Sequence, residues 1–171
     1  MGRIASILAL IAFSHLFIFT CAAWAMHISE GILPLKWAAL WYLFAIPFLI
    51  KGVIDIKKKA KTTPGFKPLI GMMGALIFVI SCMPVPVPTA GTCSHPAGTG
   101  ISAILIGPIM SIFLTSIALF IQALFLAHGG ITTWGADIVS MGIAGSFAGY
   151  AAFKILRKFK FHLFICGFAA G

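Results

Sequence analysis

Apolar residues run in long blocks along this chain. Two kinds of interruption separate them: short basic runs, and stretches rich in proline and glycine. The first block is "IASILALIAFSHLFIF", residues 4–19. The second runs from Trp37 to Ile56 and opens on Trp37, Trp41 and Tyr42, residues of the kind that gather at a membrane interface. At 1.5 Å per residue, about 19 helical residues cover roughly 28 Å, close to the thickness of a bilayer core. This block ends at "DIKKKAK" (55–61). After the tight turn "PGFKP" (64–68), "LIGMMGALIFVISCM" (69–83) predicts a returning helix. "PVPVPTAGTCSHPAGTG" (84–100) has too many prolines and glycines for a helix, and is expected to lie outside or to fold back into the protein. Residues 101–127 are apolar but broken by "GP" at 107–108. "WGADIVSMGIAGSFAGYAAF" (134–153) then precedes "KILRKFK" (154–160). The final stretch, "FHLFICGFAAG" (161–171), starts another apolar block and is shorter than the roughly 20 residues of a full span, so the C-terminus is expected to be incomplete.

Lysine and arginine beside apolar spans mark the cytoplasmic side, and this constrains the path of the chain. One straight helix over 101–127 would put three spans between the two basic runs, leaving one run on the wrong side. A break at Gly107–Pro108 makes four segments, the first of them short, and returns both runs to the same side. Four segments are therefore expected, with His128, His95 and Met26 together at the opposite, outer end.

Composition supports this reading. Of 171 residues, 61% are hydrophobic and 9% charged, against about 25% charged in a soluble domain. The net charge of +9 comes from twelve Lys/Arg against Glu30, Asp55 and Asp137. It sits largely in the two short runs, which points to membrane topology and not to nucleic acid. Four cysteines lack any C-x-x-C spacing, so neither a zinc site nor a disulfide framework is indicated.

The first block has the three parts of a secretory signal: Arg3, an apolar core, and the small-x-small pattern "AWA" at 23–25. An uncleaved span is one alternative. Lipid attachment at Cys21 is another, although "IFTC" lacks the small residue expected before the cysteine. Cleavage after Ala25 would make Met26 the N-terminal residue, with His27 second. The terminal amine, the His27 backbone nitrogen and a His27 ring nitrogen can then form fused chelate rings, giving three nitrogens in one plane. A fourth nitrogen completes a square, which suits Ni(II) or Cu(II) and can be imposed on Co(II). His95, in "CSHPAGTG", is the best fourth ligand. His128 is expected to support the site or to cap a helix end before Gly129–Gly130. Glu30 either orients His27 and offsets the metal's charge, or serves as an N-cap or first-turn acid of the following helix. For His15 and His162 no functional role is expected.

"MHISEGILPLKWAALWYLFAIPF", "GTCSHPAGTG", "ILIGP", "QALFLAHGGITTWGADIVSMGIAG" and "LRK" resemble the CbiM/NikM family. These are the substrate-binding membrane subunits of energy-coupling-factor transporters for cobalt and nickel. The resemblance covers nearly all of residues 26–160. It implies an all-α integral membrane protein, a multi-span helical bundle behind a cleaved signal peptide (1–25). Residues 26–171 would form one transmembrane metal-binding domain, short at its C-terminus relative to the family. It also implies Co²⁺ or Ni²⁺ as transported substrate, with no catalytic cofactor. The ligands would be Met26, His27 and His95. The implied partners are a transmembrane coupling subunit, two cytoplasmic ATPases and often a small accessory membrane subunit. The implied location is the inner membrane, with the mature N-terminus outside the cytoplasm. Ser29 stands where the family usually has Met, and "GSF" (145–147) where it often has Gly-Pro-Phe. A membrane metalloenzyme would require an H-E-x-x-H-like pair. A stand-alone cation channel would require more acidic residues. The chain has neither, and it lacks a Walker A pattern, so no enzymatic activity is expected.

Overall fold

A computed structural model describes residues 28, 30–83, 85–87, 92–94 and 96–171. The expected signal segment 1–25, together with Met26, His27 and His95, lies outside these. Helix α1 spans Leu35–Thr62, preceded by Pro34. It continues six residues past the apolar block that marked its expected end at Ile56. The reason is local: lysine and alanine in "KKKAKT" are good helix formers, and the breaker comes only at Pro64–Gly65. Lys59 and Lys61 in its last turn complement the helix dipole. Gly65, at φ 79°, turns the chain into α2 (Phe66–Ser81). A small antiparallel hairpin follows, β1 (Val85–Val87) and β2 (Thr92–Ser94), with Val85 opposite Ser94 and Val87 opposite Thr92.

The expected break is present. Helix α3 (Thr99–Ile106) ends at Gly107, which has φ 102°, and α4 (Pro108–Phe125) starts on the next residue. Proline at the first helical position has no N–H to leave unpaired. Helix α5 covers Trp134–Lys158 but is not uniform. Residues Trp134–Asp137 are α-helical, Ile138–Ala144 form a wide π-helical stretch, and Gly145–Lys158 return to α geometry. The short helix α6 (Leu163–Phe168) follows. Among the described residues, three helices, α1, α4 and α5, are long and apolar enough to cross a membrane.

Helix contacts establish direction. The Tyr42 hydroxyl donates to the Ile131 carbonyl, and its ring lies edge-on to Trp134 at 5.9 Å. Further along both helices, the Phe48 and Phe147 rings meet at 6.3 Å. Helices α1 and α5 are therefore parallel. Helix α4 runs the other way: a cavity of about 470 Å³ brings Asp55, Lys58, Lys59 and Thr62 of α1 beside Gly107 and Pro108 at the start of α4. Both basic runs thus lie at the end opposite Glu30 and His128, with four helices, α2 to α5, between them.

Helix α4 is the centre of the molecule. Its Met110, Leu114 and Ala118 pack with Phe66, Ile77 and Ile106, while Ile112 and Leu119 pack with Ala45, Ile138 and Ile143. Small polar groups lie between these clusters. Ser111 Oγ donates to the Thr99 carbonyl at 2.9 Å, and Ser146 Oγ to Ser111 Oγ at 3.2 Å. Gln122, fully buried, donates to Ser81 Oγ at 2.6 Å. Small residues and interhelical hydrogen bonds are the usual means of joining helices in lipid.

The approach of α1 to α5 is set by Gly135. A Cβ there would lie 2.8 Å from the Tyr42 backbone nitrogen and 3.1 Å from the Trp41 carbonyl carbon. Since the obstacle is backbone, it cannot swing aside. Gly135→Ala is expected to lower stability by about 1–3 kcal/mol, read as an earlier thermal unfolding transition in detergent. A Tm equal to that of the wild type would contradict this packing.

Candidate metal centre

Two of the residues singled out in the sequence, Glu30 and His128, lie at the end of the bundle where α4 gives way to α5. Helix α4 ends by a tight reversal. Ala127 adopts φ 49°, and the His128 N–H donates to the Gln122 carbonyl at 3.2 Å. His128 thus caps the helix end through its backbone, and its side chain is half-buried. Gly129, at φ 89°, continues the turn. Gly130 then passes close under the N-terminal segment: a Cβ there would stand 2.8 Å from Glu30 Cα and 2.9 Å from Glu30 N.

Three side chains join the loop to that segment. The Glu30 carboxylate accepts from the Thr132 N–H at 3.2 Å. Hydrogen bonding from Thr132 holds the exposed Glu30 carboxyl below the usual carboxylate range. Glu30 is neither an N-cap nor a first-turn acid of α1, because that helix starts five residues later behind Pro34. Thr133 Oγ1 donates to the Ile28 carbonyl at 2.7 Å and accepts from the Gly130 N–H at 3.1 Å. The Asp137 carboxylate, buried, accepts from the Ile28 N–H at 3.5 Å.

The structure therefore brings Glu30 and the His128 loop to one end of the bundle. Among the described residues, no three His, Cys, Asp or Glu side chains gather into a metal-binding group. Met26, His27 and His95 fall outside those residues. The sequence reading passed over Thr133 and Asp137. A signal existed for Asp137, the one acidic residue in the block 134–153. A carboxylate within an apolar span is costly and rarely idle.

With this geometry in view, the comparisons decide the family. A model described as the cobalt uptake substrate-specific transmembrane region, CbiM, matches residues 27–171. The chain belongs to the CbiM family. A cobalt transport protein CbiM of Geobacter sulfurreducens is 60% identical over 149 residues, which cover 87% of this chain and 43% of that protein. A cobalt transport protein CbiM of Sorangium cellulosum is 54% identical over 146 residues, covering 85% of this chain and 65% of that protein. The chain thus spans between about two fifths and two thirds of these curated relatives. A crystal structure described as a transition metal transporter superposes with a TM-score of 0.72 at 29% identity, covering 85% of this chain and 63% of that one.

The Glu30 contact has a pH dependence of known sign. Its carboxyl is held low in the folded state, so its stabilising contact is present above the unfolded-state pKa and is lost as the pH falls through the folded-state pKa. Hydrogen exchange at the Thr132 amide, corrected for the intrinsic rate, is expected to be slowed at neutral pH. That protection should fall in acid and be absent in Glu30→Ala at any pH. Equal protection in the variant would mean that this carboxylate does not hold the loop.

Proposed function

We propose that this chain is the substrate-capture subunit of an energy-coupling-factor importer for Co²⁺ or Ni²⁺, binding the ion at its extracytoplasmic end. Membership of the CbiM family is the observation that carries this reading. The ion is cargo. Met26, freed by removal of residues 1–25, provides its amine; His27 provides its backbone and ring nitrogens; His95 provides the fourth nitrogen. Residues 26–171 then act as one transmembrane domain. The anchoring of Ile28 and Glu30 supports this scheme, since a chain end needs fixed neighbours to form a rigid chelate. His128, in the same loop region, and Glu30 would support the ligands without touching the ion. ATP hydrolysis would fall to two cytoplasmic subunits working through a transmembrane coupling subunit, with a small accessory membrane subunit in some assemblies. The shared end of the two basic runs is consistent with the cytoplasmic face of an inner-membrane protein.

Binding should follow the number of nitrogens lost. His27→Ala removes a ring nitrogen and breaks the chelate, so its loss should exceed that of His95→Ala. Both should exceed the roughly 10–100-fold typical of losing a group that only supports a ligand, and His128→Ala should stay within that range. One residue inserted before Met26 keeps every side chain but moves the amine away from His27, and should abolish binding nearly as well as His27→Ala. Unchanged Ni²⁺ or Co²⁺ affinity in the extended protein, measured by titration, would remove the amine from the ligand set.

Sidedness has its own test. Lys58→Cys and Lys158→Cys should both be shielded from an impermeant thiol reagent added outside intact cells. Both should react once the membrane is opened. Opposite accessibility of the two would rule out this orientation.

A further inference from the structure

Two polar groups at the start of α5 are turned away from the work such groups usually do. Thr133 is the N-cap residue of α5, and an N-cap threonine normally gives its hydroxyl oxygen to an amide in the first helical turn. Here no such cap bond forms. The Thr133 hydroxyl instead donates to the Ile28 carbonyl at 2.7 Å. Asp137, the acid of the first turn, likewise gives its carboxylate to the Ile28 N–H. Both Thr133 and Asp137 are buried, at 0% and 4% exposure. A buried carboxylate must be hydrogen-bonded to be tolerated. The backbone amide it accepts from lies 109 positions earlier in the chain. Helix α5 thus grips both backbone polar groups of one residue, in the manner of a single rung of a sheet.

The position of that residue gives the grip its meaning. The Ile28 N–H belongs to the peptide unit shared with His27. A peptide unit is planar, so the direction of the Ile28 N–H sets the plane that contains the His27 Cα. We propose that Asp137 and Thr133 are positioning residues of the metal site: together they clamp Ile28 and so aim the chelating N-terminus. This rests on the capture reading above, in which Met26 and His27 hold the ion. Neither residue touches the ion. The clamp acts by fixing, before the ion arrives, the residue to which the chelating pair is joined.

The test uses the full chain purified in detergent and titrated with Ni²⁺ alone. Affinity and the visible absorption of the bound ion are the readouts. Asp137→Ala should weaken binding by about 10–100-fold and shift the absorption band, because the square of nitrogens is distorted. Asp137→Asn keeps an oxygen acceptor for the Ile28 N–H, and should remain within about threefold of the wild type with the native band. Thr133→Val should weaken binding and Thr133→Ser should restore it, a pair that keeps the idea testable if Asp137→Ala does not fold. Wild-type affinity and spectrum in Asp137→Ala or in Thr133→Val would overturn the clamp. So would a loss in Asp137→Asn equal to that in Asp137→Ala. The inserted residue before Met26 separates this from failure of the capture reading. If that insertion leaves Ni²⁺ binding unchanged, the N-terminus is not the site and the clamp falls with it. If the insertion abolishes binding while the clamp variants match the wild type, only the clamp is wrong.

Discussion

A backbone amide in hydrocarbon finds no water to bond, and this structure is arranged around that constraint. The α3–α4 break meets it with minimal loss. The Gly107 N–H still reaches the Ala103 carbonyl at 3.1 Å, and Pro108 brings no donor at all. The buried hydroxyls of Ser111, Thr115 and Ser116 turn to backbone carbonyls at 2.9, 2.9 and 2.7 Å. The Trp134 ring N–H reaches the Ser116 carbonyl at 3.0 Å. Polar groups are plentiful inside this bundle, and most of them serve other parts of its own chain.

Lipid also offers little hydrophobic drive between helices, so contact must come from close fit. Gly135 lets the α5 backbone lie against α1, and Gly52 does the same where α1 meets Phe113 of α4. On the far side, Gly145 and Gly149 of α5 face Thr99 and Gly100 of α3. Helix α4 is the most buried of the three long helices, while leucine, isoleucine and phenylalanine such as Leu43, Phe44 and Ile50 face outward from α1.

Features with a local cause were legible in the sequence. Glycine at positive φ followed by proline stops a helix wherever it occurs, so Gly107–Pro108 could be read as a break. The end of α1 was misplaced because hydrophobicity reports the membrane while helix continuation follows propensity, and the two diverge after Ile56. The hairpin at 85–94 and the π-helical stretch left no clear mark, since both depend on tertiary context. The grip of Thr133 and Asp137 on Ile28 joins positions more than a hundred residues apart, and no spacing rule reaches that far. The readings of Met26 and His27 rest on short-range chelate chemistry, and both residues, like His95, lie outside the described part of the structure. Glu30 was singled out with them, yet its partner, Thr132, could come only from the fold.

The π-helical stretch Ile138–Ala144 sets a phase. Above it, α5 points Gly135 at α1 and Asp137 at Ile28; below it, Gly145, Ser146 and Gly149 face α3 and α4. An α-helix turns about 100° per residue, so the wide turn delays the lower half by a fraction of a revolution. A uniform helix of the same sequence could align one of these stripes with its neighbours, but not both. The irregularity is therefore an angular coupling that lets one rod serve two sets of partners: α1 and the Ile28 segment above, and the interior of the bundle below.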